Sequence, residues 1–298
     1  MSWNLALKVS DHLNSYVKLM LRIDSHQHFW KFDPVRDNWI TDEMSVIRKD
    51  FLPEDIEPVL KKNGFDGCVT VQSDQSEMEN AFQLANAGKY DFIKAVVGWI
   101  DLQSVNVEQR LEYYQQYKKL KGFRHVLQGE ARRDLMLRPD FKRGIGLLNK
   151  YNFTYDILIF PDQLQYSTEL VSSFPEQKFV VDHMAKPYIR EKNIDDWKTH
   201  IRRMASYENV YCKFSGFVTE ADWKNWKRDD FLPYFDVVTE AFGIDRIMFG
   251  SDWPVCLVAG CYEEVVSISN DYFSSFTKSE QEKVFGLNAI KFYNLAGS

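Results

Sequence analysis

Two histidines, His26 and His28, stand one residue apart at the end of an apolar, β-branched run, Ile23-Asp24-Ser25-His26-Gln27-His28. Side chains alternate between the two faces of a strand, so both imidazoles point one way and Gln27 the other, and a pair so placed can grip one divalent ion. A lone histidine there would ordinarily be a satisfied core residue; a strand-end pair is better suited to chemistry. A third imidazole closes Val180-Val181-Asp182-His183, and a carboxylate follows in Phe249-Gly250-Ser251-Asp252-Trp253-Pro254. His26, His28, His183 and Asp252 together suit a mononuclear site for a single divalent metal, zinc first. Neutral nitrogens would hold the ion, and the carboxylate would ligate it or deprotonate a water. Metal-free catalysis is the alternative: Asp252 acts as general base on a water that the histidines orient, against an activated ester. These residues leave both open.

The four groups are spread over more than 200 residues of chain, so the fold must bring them together. Apolar runs recur at Leu21 to His28, Gly67 to Gln72, Ile93 to Leu102, Gly122 to Leu127, Tyr155 to Phe160, Lys178 to His183, Val210 to Phe214 and Arg246 to Gly250. Several are continuously hydrophobic, as strands covered by helices on both faces are. Helix-compatible segments lie between them: Pro53 to Asn63 opens on a proline and stops at Asn63-Gly64, and Ser76 to Ala87 stops at Gly88. Eight such units without a Gly/Ser/Pro-rich linker predict one α/β domain, a (β/α)8 TIM barrel, whose strands deliver catalytic groups at their carboxyl ends. No Gly-x-Gly-x-x-Gly opens a helix after the first strand, so a dinucleotide-binding fold has no support. The barrel is expected over 20–298, with 1–19 as an N-terminal extension; Met20, directly before the first strand, could equally be the initiator.

Other polar and aromatic groups fall near strand ends. Arg124 and His125 cannot both face inward on a regular strand. Arg124 is the expected catalytic group, because its planar, permanently charged guanidinium suits a carbonyl oxygen or a carboxylate. Gln72, His125, Asp156 and Lys213 are lesser candidates, and Trp30, Trp99 and Trp253 could stack on a sugar ring.

Composition excludes several classes. With 45% hydrophobic and 27% charged residues the chain is an ordinary globular protein, and its net charge of −6 without a basic run argues against nucleic acid as a partner. The first twenty residues hold neither a signal-type apolar run nor a membrane span, so a cytoplasmic enzyme is expected. Cys68, Cys212, Cys256 and Cys261 are scattered and read as reduced core thiols. A homo-oligomer is compatible with all of this.

Asp24-Ser25-His26-Gln27-His28-Phe29-Trp30, Gly122-Phe123-Arg124-His125, Asp182-His183-Met184-Ala185-Lys186-Pro187 and Phe249-Gly250-Ser251-Asp252-Trp253-Pro254 come in order on the expected strands. In these motifs, and in the closing Phe285 to Tyr293, the chain resembles the sugar-lactonase branch of the amidohydrolase superfamily from about Met20 to Leu295. The resemblance implies hydrolysis of a small-molecule sugar lactone, of the L-fucono- or L-rhamnono-lactone type, to the open-chain aldonic acid, with Asp252, His183 and Arg124 catalytic. It also implies no two-metal centre, because Gly122-Phe123-Arg124-His125 stands where binuclear relatives carry a bridging lysine or glutamate. A 2-pyrone-4,6-dicarboxylate hydrolase would need more cations than Arg124, with Arg132 and Arg133 in the next loop. A related metal-dependent decarboxylase would release carbon dioxide, and a catalytically silent sugar- or metal-binding barrel would show a broken constellation.

Overall fold

The computed structural model describes residues 21–295. The expected extension over 1–19 and the question of Met20 lie outside them. Eight parallel strands follow one another in chain order around a sheet: β1 Ile23–Gln27, β2 Gly67–Val71, β3 Ile93–Gly98, β4 Leu120–His125, β5 Thr154–Ile157, β6 Phe179–Val181, β7 Val210–Phe214 and β8 Ile247–Phe249. Helices α1 Pro53–Lys62, α2 Glu77–Lys89, α3 Val107–Tyr114, α4 Pro139–Leu148, α5 Leu164–Ser172, α6 Asp195–Ala205, α7 Leu232–Phe242, α8 Tyr262–Phe273, α9 Lys278–Glu282 and α10 Asn288–Tyr293 accompany them. This is a single-domain (β/α)8 barrel, and each of the eight apolar runs supplies one strand.

The ring closes where the carboxyl ends of β1 and β8 meet. Gln27 pairs with Trp253, the His28 N–H donates to the Trp253 carbonyl at 2.7 Å, and the Asp252 N–H donates to the His26 carbonyl at 2.8 Å. Closure therefore places two of the sequence motifs side by side.

Strand alternation sorts the interior into layers. Ile23, Val69, Val71, Ala95, Val97, Val180 and Met248 form an apolar layer, closed by Ala289, Phe292 and Tyr293 of α10 and by Leu295. Above it, Arg124, Asp156, Asp182 and Lys213 form a charged layer, all buried. In β1 the register slips between Asp24 and Gln27, three residues there spanning two of β2. That bulge reverses the alternation, so Ile23 fills the apolar layer while His26 and His28 both reach the barrel mouth.

Helix boundaries follow local chemistry, with one exception. Helix α1 starts on Pro53, carries Glu54 and Asp55 in its first turn and Lys61 and Lys62 in its last. Gly64, at φ +73°, follows its end as expected. Ser76 caps α2 by accepting from the Glu79 N–H at 3.3 Å. The expected stop of α2 at Gly88 does not occur. The helix runs to Lys89, and the Tyr90 N–H still bonds the Asn86 carbonyl, since a helical glycine weakens a helix without ending it. Cys68, Cys212 and Cys256 are buried free thiols, but Cys261 is exposed at the start of α8, so it is not a core residue. Among the described residues no helix is long and apolar enough to cross a membrane.

Candidate active site

His26, His28, His183 and Asp252 meet at the carboxyl ends of β1, β6 and β8. Asp252 Oδ1 is 3.3 Å from His28 Nε2, 3.8 Å from His26 Nε2 and 3.9 Å from His183 Nε2. His26 and His28 face each other through Nε2 at 3.2 Å. The protein goes to some lengths to build this convergence. From His183 to Lys186 four successive residues hold φ between 51° and 58°, a left-handed turn that costs roughly 1–2 kcal/mol per non-glycine residue. The Trp197 indole N–H on the Met184 carbonyl at 2.8 Å, the Lys186 N–H on the His183 carbonyl at 2.8 Å and the Lys186–Glu220 ion pair at 3.1 Å hold that turn. Two glycines make room for the rings. A Cβ on Gly216 would lie 2.5 Å from His183 Nδ1, and one on Gly250 would lie 2.6 Å from His26 Cβ.

The electrostatics suit a metal. Burial depresses His26 and His183 well below the ordinary imidazole range, so both are neutral and able to offer lone pairs. Burial would raise Asp252, but His183 and His28 outweigh it and hold the carboxyl below its usual range, so it is anionic. Ligand atoms of His26, His183 and Asp252 lie within 4.8 Å of one another, with His28 flanking them. Two neutral nitrogens and one carboxylate oxygen, all buried, make a donor set that fits one divalent ion. No lysine or glutamate of β4 joins them; Arg124 stands there instead.

Arg124 is fixed from two sides. It donates to Asp182 Oδ2 at 3.1 Å and to the Gln72 carbonyl, and its buried Nε–H has no partner. Asp182 would be raised by burial, but the charges of Lys213 and Arg124 hold it well below the usual carboxylate range. The guanidinium is thus held rigid with N–H groups to spare.

A cleft of about 350 Å³ opens over this centre, lined by His28, Trp30, Arg124, His183, Asp252 and, from neighbouring loops, Arg36, Trp39 and Lys186. Of the residues expected to touch substrate, Trp30 lines it. Five do not. Gln72 is buried and donates to the Arg124 carbonyl at 3.2 Å, serving the arginine's position. Asp156 lies in the charged layer below, bonded to Lys213 and to the Tyr293 hydroxyl at 2.7 Å. His125 faces the helices, as alternation after Arg124 requires, with Nε2 on Glu130 at 2.7 Å and its ring against Phe141. The Trp99 indole goes with it, donating to His125 Nδ1 at 3.4 Å. Trp253 is buried edge-on against Phe51. Arg36, Trp39 and Lys186 were not singled out from the sequence. Arg36 and Trp39 lie in a loop without periodicity, while Lys186 had a signal in the Asp182-to-Pro187 motif.

Residues 23–295 match the model of the family described as Amidohydrolase. The chain is 37% identical to an L-fucono-1,5-lactonase from Burkholderia multivorans (strain ATCC 17616 / 249), covering 92% of this chain and 96% of that one. A second L-fucono-1,5-lactonase, from Burkholderia ambifaria, is 32% identical over 93% of this chain and 97% of its own length. Among solved structures, an amidohydrolase from Burkholderia multivorans with bound zinc superimposes with a TM-score of 0.89 at 36% identity, covering 92% of this chain and 99% of that one.

Proposed function

The chain belongs to the amidohydrolase family, and from that premise we propose that it is a lactonase that opens a sugar lactone to the open-chain aldonic acid. The observation that carries this reading is the placing of Asp252 among three imidazoles with Arg124 in the same cleft. The choice of an L-fucono- or L-rhamnono-type lactone rests on the two lactonase relatives. A neutral substrate is favoured by the state of the cations in the cleft. Arg36 pairs with Asp37 at 2.7 Å, Arg124 with Asp182 at 3.1 Å and Lys186 with Glu220 at 3.1 Å, so each already has its carboxylate. A dicarboxylate such as 2-pyrone-4,6-dicarboxylate would have to compete with all three.

In this reading Asp252 takes a proton from a water, which attacks the lactone carbonyl. The spare N–H groups of Arg124 face the developing oxyanion, and they need no reorganisation because Asp182 and Gln72 already fix the guanidinium. The protonated Asp252 then returns its proton to the departing ring oxygen, which balances water plus lactone against one hydroxy acid. Trp39, exposed at the cleft, offers an apolar face to the sugar, with the buried Trp30 packed against it. A divalent ion held by His26, His183 and Asp252 would add Lewis-acid polarisation of the carbonyl.

A panel of aldonolactones monitored with a pH indicator, with and without chelator, tests the proposal, because each lactone opened at neutral pH releases a proton. Turnover of L-fucono- or L-rhamnono-lactones above the rest is expected. Turnover of 2-pyrone-4,6-dicarboxylate far above every aldonolactone would overturn the substrate class.

A further inference from the structure

Lys213 extends from β7 into the charged layer and is wholly buried. An ammonium has N–H donors and no acceptor; this one donates to the Asp156 carboxylate and to His26 Nδ1 at 3.1 Å, with its charge 3.0 Å from Asp182 Oδ1. Because the ammonium can only donate, Nδ1 of His26 presents its lone pair and the proton of the neutral ring sits on Nε2.

The far end of the same chain of contacts gives the same answer independently. His28 Nδ1 lies 2.8 Å from the Val71 carbonyl oxygen, which can only accept, so Nδ1 carries a proton, and a ring with a single proton then keeps its lone pair on Nε2. That Nε2 is 3.2 Å from His26 Nε2, a distance at which two lone pairs repel and a donor with an acceptor bond. The opposite assignment, His26 Nδ1–H on Asp182 Oδ1 at 3.3 Å, sets an N–H against the ammonium and leaves the two bare nitrogens facing. Arg124 Nη1, which can only donate, lies 3.4 Å from His26 Nε2 and competes with this assignment, but it is the longer contact, and the guanidinium has nearer acceptors in Asp182 Oδ2 at 3.1 Å and the Gln72 carbonyl.

We propose that Lys213 is a positioning residue that locks His26 in the Nε2–H tautomer, completing a directed hydrogen-bond chain from Lys213 through His26 and His28 to Val71. In this state His26 Nε2 is a donor to His28 and offers no lone pair. To ligate an ion through Nε2 it must first move its proton to Nδ1, against the Lys213 ammonium. Lys213 therefore opposes metal binding at a site whose donor set otherwise fits one ion. The inference concerns the protein without substrate, so it fails or survives separately from the lactonase reading.

The test is nitrogen-15 NMR of the full-length, chelator-treated protein labelled at histidine. Six histidines give a tractable spectrum, and the His26 signals are identified by their loss in His26→Asn. A bare Nδ1 and a protonated Nε2 on His26 are expected; a protonated Nδ1 overturns the proposal in the wild-type protein alone. A second measurement is zinc affinity, by competition with a chromophoric chelator, in wild type and in the double variant Lys213→Met/Asp156→Asn. That variant removes one charge of each sign and leaves Asp182 paired with Arg124. Outer partners of a ligating histidine change metal affinity roughly 10- to 100-fold, and zinc should bind the double variant tighter by about that factor, with the His26 proton moved to Nδ1. Equal or weaker zinc binding in the folded double variant overturns the proposal.

Discussion

The backbone N–H of Asp252 donates to the carbonyl of His26 at 2.8 Å, while the carboxylate of the same residue lies 3.8 Å from the His26 ring. One pair of residues thus joins the last strand to the first and sets the candidate base beside a candidate ligand. Asp252 adopts φ 58° to do both. The site can be complete only when the barrel is closed.

Asp252→Asn preserves that backbone bond and the side-chain volume but removes the base. We expect a folded protein whose kcat falls by about 10² to 10⁴, the usual loss when a general acid or base is removed. Lactone turnover beside circular dichroism checks it; activity within threefold of wild type in a folded variant would remove Asp252 from the mechanism.

Arg124→Lys keeps the charge but loses the planar fork that reaches Asp182 and the Gln72 carbonyl together. A loss of roughly 10- to 100-fold in kcat/KM is expected, the equivalent of one charge-assisted hydrogen bond. It should fall mainly on kcat if the guanidinium meets the oxyanion, and mainly on KM if it holds only the ground state. Unchanged kinetics would reduce Arg124 to a structural partner of Asp182.

Elemental analysis should find at most one divalent ion per chain, since the buried donor group is His26, His183 and Asp252 and β4 presents Arg124 where a second ion would need a bridging ligand. Two tightly held equivalents would contradict this.

Asp24, fully buried, accepts from the N–H groups of Ser251 at 2.9 Å and His26 at 3.1 Å and from the Tyr262 hydroxyl at 3.2 Å, yet burial still pushes it up to about 6. A carboxyl whose pKa is raised by folding favours the native state while both states are protonated, below about pH 3.8. That advantage is lost as pH rises towards 6, and the level is flat above. Asp24→Asn keeps the two backbone bonds without the charge. Relative to this variant, wild type should lose roughly 3 kcal/mol between about pH 3 and pH 7. Urea unfolding of both proteins across that range measures it; a constant difference would show that the carboxyl does not titrate on folding.

Much of this was legible in the chain itself. Eight apolar runs reflect strands buried on both faces, and the spacing of His26 and His28 puts both rings on one side because a strand repeats every two residues. Alternation likewise sends His125 outward once Arg124 points in. Tertiary structure decided the rest. Periodicity says which residues share a face, but not whether a polar group on it meets the cleft or a partner from a distant strand. Asp156 and Lys213 satisfy each other across the barrel, Gln72 serves Arg124, and Trp253 is covered by Phe51. Arg36 and Trp39 reach the cleft from a loop, where no repeat marks direction. The tautomer of His26 is the extreme case, since a proton's place on a ring is fixed by neighbours that only the closed barrel assembles.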